Sequence, residues 1–114
     1  MAAALIYHIC KRTEWEAARG CYAGSSQDAA DGFIHFSTAE QVVASAAKHR
    51  AGQRDLVILE VDAMALGSAL RWEPSRSGQL FPHLYGALPV EAVLRVAALA
   101  IGEDGRHVFP WGLQ

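Results

Sequence analysis

The spacing of hydrophobic and polar positions changes along the chain, and each change marks an element. Leu5-Ile-Tyr-His-Ile9 is short, β-branched and aromatic, which predicts a first strand. Thr13-Glu-Trp-Glu16 has the capping-box pattern and predicts a short helix over 13–20, stopped by Gly20. Residues 21–32 are rich in Ala, Ser, Asp and Gly without a period, and read as a loop. Gly32-Phe-Ile-His-Phe-Ser37 predicts a second strand. A second capping box, Ser37-Thr-Ala-Glu40, opens a helix over 38–50 with Ser37 as its cap. Val42, Val43, Ala46 and Ala47 form its apolar stripe, and Gly52 follows its end.

The second half is mostly strand. Leu56-Val-Ile-Leu-Glu-Val61 predicts a third strand, in which Glu60 reads as an outward residue. Asp62 caps a single turn that ends at Gly67. Leu70-Arg-Trp-Glu73 predicts a fourth strand, and residues 74–79 a loop. Residues 80–85 are extended, although Pro82 argues against a fully paired central strand. A turn over 88–93 enters a long strand over 93–101. Asp104-Gly105 signals a hairpin, and residues 106–109 return. Early helices followed by strands predict an α+β domain rather than a doubly wound sheet.

The chain has 114 residues, a length that suits one domain spanning 1–114. With 52% hydrophobic and 19% charged residues it can build a core, which argues against disorder. The net charge is -2, so no basic patch offers itself to duplex nucleic acid. Cys10 and Cys21 match no metal spacing and read as free thiols in a reducing compartment. The N-terminal residues have neither a basic n-region nor an apolar stretch long enough for a signal peptide or a span. The expectation is a cytoplasmic protein with no membrane partner. Oligomeric state is not encoded in any pattern we find.

Candidate chemistry gathers on three strand histidines. His8 has opposite parity to Tyr7 and Ile9, His35 shares a face with Phe33 and Ser37, and His83 shares one with Phe81 and Tyr85. Imidazole donates, accepts, carries a proton near neutrality or binds metal, so the cluster locates a site better than it names a reaction. His49, beside Lys48 and Arg50, and His107, in the terminal hairpin, read as solvated. Ser37, at a helix start, is placed to meet an anion. Trp72, Phe81 and Tyr85 could line a slot for a flat ring, with Glu73 as the carboxylate beside it.

Ile6-Tyr-His-Ile9, Trp15, Gly32-Phe-Ile-His-Phe-Ser37, Gln41, the strand over 56–62 and Phe81-Pro-His-Leu-Tyr-Gly86 together resemble the bacterial DUF952 family over residues 5–96. The resemblance implies a fold similar to that of ADP-ribosyltransferases and RNA 2′-phosphotransferases. That fold has split, bent, mixed β-sheets with two short-to-medium helices and a cleft for a nicotinamide-adenine-dinucleotide (NAD)-like ligand. It implies that His8 holds a ribose and that Phe36 or Ser37 lies near the second motif. The late strand carries Phe81 and His83 where the transferases of diphtheria-toxin type have a glutamate, so Glu73 is the candidate substitute. Arg12, Arg71 and Arg76 are the counterparts of phosphate-binding arginines.

Three readings follow. The first is a site for a nucleotide-like small molecule (NAD, ADP-ribose or a phosphorylated nucleotide), with His8, His35, Glu73 and His83 as catalytic candidates. In it, Ser37, Trp72, Phe81 and Tyr85 bind the ligand. The second is a binding module for a small molecule or a protein, which keeps the fold without the chemistry. The third is a metal site on His8, His35 and His83, which ranks last because no acidic partner stands nearby in sequence.

Overall fold

The computed structural model describes residues 4–75 and 78–113. The centre of the fold is the strand Leu56–Asp62, buried from Leu56 through Val61. A strand covered on both faces shows a continuous apolar run instead of alternation, which is why this segment reads as it does. Leu5–Lys11 and Val93–Ile101 flank it, both antiparallel. Two short strands finish this sheet: Ser37–Thr38 beside the first strand and His107–Val108 beside Val93–Ile101.

In chain order the strands are β1 (Leu5–Lys11), β2 (Cys21–Tyr22), β3 (Ile34–His35), β4 (Ser37–Thr38) and β5 (Leu56–Asp62). They continue with β6 (Leu70–Pro74), β7 (Leu80–Leu84), β8 (Leu88–Pro89), β9 (Val93–Ile101) and β10 (His107–Val108). The large sheet has the order β10-β9-β5-β1-β4, a smaller one has β3-β7-β6, and β2 pairs with β8. Every pairing among the described residues is antiparallel, so the expectation of mixed sheets is corrected while the α+β class stands.

The single second strand expected over 32–37 is divided. Ile34 and His35 pair with β7, whereas Ser37 and Thr38 pair with β1. Phe36 is the crossing point. It is 2% exposed, and its N–H donates to the Pro82 carbonyl at 3.0 Å. Pro82 therefore does sit in a central strand. Its missing N–H falls opposite the residue where β3 leaves that sheet, so the ladder loses little.

Three α-helices are described: α1 (Arg12–Glu16), α2 (Ser26–Asp31) and α3 (Ala39–His49). Only α3 exceeds two turns, so the expected helix over 13–20 is shorter than its pattern suggested. The capping assignments move as well. In α1, Glu14 accepts from the Lys11 N–H at 3.0 Å, in place of the Thr13–Glu16 box. In α3, Thr38 is the N-cap and Gln41 Oε1 accepts its N–H at 3.0 Å, so Ser37 is a strand residue rather than the cap. The segment over 21–32 is not wholly loop. Ser25 and Asp28 form a capping box around α2, which ends at Gly32 in the left-handed conformation that glycine adopts cheaply (φ 88°).

The two faces of the large sheet carry separate cores. On one, Tyr7, Leu56, Ile58 and Leu99 pack under Val42 and Ala46 of α3. On the other, Ile6, Cys10, Val57, Leu59 and Val61 pack against Tyr22, Ile34, Phe36, Leu84 and Leu88 of the smaller ladders. Glu60 is 4% exposed rather than outward. It ion-pairs with Arg95 at 2.8 Å and accepts from the Tyr7 hydroxyl at 2.9 Å. His107 is also buried, with Nε2 2.8 Å from the Gln53 carbonyl, and is not the solvated residue its hairpin setting suggested. Among the described residues no helix is long and apolar enough to cross a membrane.

Candidate functional site

The smaller sheet presents one side chain face to the core and the other to a groove. Alternation along β7 sends Pro82 and Leu84 inward, and Phe81, His83 and Tyr85 to the groove side. Cross-strand register then sets their neighbours. His83 lies opposite His35 of β3 and Arg71 of β6, and Phe81 lies opposite Glu73. Trp72 is opposite Pro82, so it stands on the other face and does not join the slot expected for it.

Phe33 organises this face. Its ring stacks on His83 with centroids 4.1 Å apart, and lies 4.5 Å from His35 and 5.3 Å from Tyr85. His35 and His83 meet edge to face at 5.5 Å. Glu73 ties down the far side: one carboxylate oxygen lies 2.8 Å from His83 Nδ1 and accepts from the Tyr85 hydroxyl at 2.7 Å. Those hydrogen bonds, Tyr85 first and His83 second, hold the Glu73 carboxyl below its usual range and push the Tyr85 phenol up. The Arg71 guanidinium covers the Tyr85 ring at 5.2 Å.

Asp28 lies beneath. Its Oδ1 is 2.6 Å from His35 Nδ1 and accepts the His35 backbone N–H at 3.1 Å. Its Oδ2 accepts the Ser25 N–H at 2.7 Å. Burial would raise this carboxyl, but the His35 hydrogen bond and the two backbone donors outweigh burial and hold it down at about 2. His35 Nε2 lies 3.0 Å from Asp31, so a carboxylate faces each nitrogen of that ring.

His8 lies at the base of the groove, in its lining but nearly buried. It is 3% exposed, with Nδ1 2.6 Å from the His35 carbonyl and Nε2 2.8 Å from the Tyr22 hydroxyl. Burial, against the pull of Asp28 and the carbonyl, keeps its pKa low and the ring neutral. Nδ1 must then donate to the carbonyl, leaving Nε2 to accept from Tyr22. Burial pushes the Cys10 thiol up to about 11, which makes it inert, and raises the Tyr22 phenol too. His8 and His35 lie in different sheets, and the His35 carbonyl, 2.6 Å from His8 Nδ1, joins them.

The groove has a volume of about 1350 Å³. Phe33, His35, His83, Phe81 and Ser37 contribute to its lining, which carries both Lys48, Arg50 and Arg54 and the acidic Asp28, Asp31 and Glu40. Of the arginines suggested by the resemblance, Arg71 is on this face, Arg12 is engaged by Asp55 and Glu16, and Arg76 lies outside the described residues. Among the described residues, no three His, Cys, Asp or Glu side chains are placed to hold a metal ion. Both nitrogens of His8 already have protein partners, which removes it from the ligand set of the three-histidine reading.

Sequence reasoning missed Asp28, Asp31, Phe33 and Tyr22. Ser25-Ser-Gln-Asp28 has the spacing of a capping box, a signal that could have placed Asp28 at a helix start. The convergence of that carboxylate on His35 depends on tertiary packing and has no local signature.

Comparison with curated proteins finds no match. Among solved structures, the crystal structure of protein CC0527 from Caulobacter crescentus is similar, with 50% identity and a TM-score of 0.87, covering 91% of this chain and 93% of that one. The solution NMR structure of CC0527 has 50% identity and a TM-score of 0.80, covering 90% of each chain. The family model described as "Protein of unknown function (DUF952)" matches residues 9–96. By the extent of that match, the chain belongs to the DUF952 family.

Proposed function

We propose that this chain is a cytoplasmic single-domain protein that binds a nucleotide-like ligand (NAD, ADP-ribose or a phosphorylated nucleotide) in the groove over Phe33, His35 and His83. One observation carries the reading: a stacked Phe33–His83 platform whose polar members are fixed by carboxylates, in a groove that also contains Lys48, Arg50 and Arg54. A flat heterocycle stacks on such a platform, and cationic side chains favour phosphate. The division of the strands among separate sheets supports a likeness to the ADP-ribosyltransferase fold. Glu73, one strand from the expected position but on the groove face, supports the transferase form of the reading.

Calorimetric titration with ADP-ribose and with inorganic phosphate tests it. ADP-ribose should bind the wild type, with phosphate weaker, and His83→Ala should lose at least tenfold in ADP-ribose affinity through the broken stack, about 1.4 kcal/mol. No binding of either ligand would instead favour a module that keeps the fold without a nucleotide site.

A further inference from the structure

We propose that the groove hydrolyses a phosphodiester, with His83 as general base and His35 as general acid, an assignment that rests on the nucleotide reading above. The two imidazoles are cross-strand partners, 5.5 Å apart between ring centroids. Each has its Nδ1 held by a different carboxylate, Asp28 at 2.6 Å for His35 and Glu73 at 2.8 Å for His83. A carboxylate only accepts, so each Nδ1 carries hydrogen and the reactive position is Nε2 in both rings.

The two Nε2 atoms differ. That of His83 meets no hydrogen-bond partner among the described residues, and 13% of the side chain is exposed. With Nδ1 carrying hydrogen, it is a lone pair on a residue that lines the groove, able to take a proton. That of His35 lies 3.0 Å from Asp31, so a carboxylate faces each nitrogen of this ring and Nε2 is placed as a hydrogen-bond donor. Asp31 is 37% exposed and sits at the last residue of α2, where a substrate oxygen can displace it. One ring is thus arranged to accept a proton and its neighbour to give one, as ester hydrolysis requires.

The step balances with water as co-reactant. His83 Nε2 removes a proton from water as the water oxygen forms a bond to phosphorus. One phosphorus–oxygen ester bond breaks, and its electron pair stays on the leaving oxygen. His35 Nε2 protonates that oxygen. The products are a phosphomonoester and an alcohol, and proton exchange with solvent restores both rings. Arg71, opposite His83 in the ladder, offsets the charge of the phosphoryl group.

The test uses the full chain with bis(p-nitrophenyl) phosphate and adenosine 2′,3′-cyclic phosphate. The wild type should release nitrophenol and adenosine monophosphate with a bell-shaped pH profile. The groups facing His35 are Asp28, Asp31, His8, His49 and His83, and those facing His83 are Glu73, Tyr85, Arg71 and His35. His83→Ala should lower the rate by about a hundredfold or more and lose the acid limb, since a base fails when protonated. His35→Ala should lose the alkaline limb, and added imidazole should restore part of the His83→Ala rate. If either alanine variant fails to fold by circular dichroism, His35→Asn and His83→Gln take its place. Binding of ADP-ribose without turnover of either ester would overturn the hydrolysis and leave the nucleotide reading standing. So would turnover that survives both substitutions with its pH limbs intact. Neither binding nor turnover would remove both.

Discussion

Taking a carboxylate out of water costs several kcal/mol unless its oxygens are met, and those of Asp28 are met by the His35 ring, the His35 N–H and the Ser25 N–H. The folded state therefore prefers the charged form, with a pKa of about 2 against an ordinary 3.8. A group depressed in this way stabilises the fold fully above its unfolded value, and the contribution is lost as pH falls from about 4 through 2. That difference corresponds to about 2 kcal/mol. Asp28→Asn should lower urea stability by about that amount at neutral pH, and the gap to wild type should close on acidification toward pH 2. A constant gap across the acid range would mean that the charge of Asp28 contributes nothing. At this scale the sequence showed the three strand histidines and Glu73 as candidates, because strand alternation is local. The burial of Glu60 and His107 was hidden, because their partners Arg95 and Gln53 lie 35 and 54 residues away.

At the scale of elements, β-strands were the readable part. The continuous run of β5, the long β9 and the pair β6–β7 all follow from local pattern, and the structure has each near its expected bounds. Helix starts were less readable, because Ser37-Thr-Ala-Glu40 and Thr38-Ala-Glu-Gln41 are overlapping candidates for the same cap. Pairing decides between them: Ser37 is held opposite Tyr7 in β4, so the helix begins one residue later. Gln41 then does two things. It accepts the Thr38 N–H at 3.0 Å and donates to the Leu80 carbonyl at 2.8 Å, joining the start of α3 to the start of β7. Gln41→Ala should cost about 1 kcal/mol in urea unfolding through the lost cap and bridging bond. Ser37→Ala, by contrast, should show no loss of a cap, and an equal effect of the two substitutions would restore Ser37 to that role.

At the scale of the molecule, the described residues form a five-stranded and a three-stranded antiparallel sheet beside the short β2–β8 pair, and residues 34–38 pass from the three-stranded sheet to the five-stranded one. The sequence showed this stretch as one strand, because its apolar pattern is unbroken, and a division between sheets leaves no mark in a pattern of period two. Phe36, the residue at the division, is buried among the core side chains of the smaller ladders and lies 5.6 Å from the His8 ring. Its N–H holds β7 while its neighbours hold β7 and β1. Removing the ring should therefore act on stability and on the groove together. Phe36→Ala should cost about 3–5 kcal/mol, as a large aromatic does when lost from a packed core. The urea midpoint should fall with an unchanged slope, since both sheets still unfold as one unit. ADP-ribose affinity should fall as well, because His35 takes its orientation from the segment that Phe36 anchors. A shallower slope with the midpoint near its wild-type value would show the two sheets unfolding separately. A destabilised variant with full ADP-ribose affinity would show that the groove is held by Asp28 and Glu73 without help from this crossing.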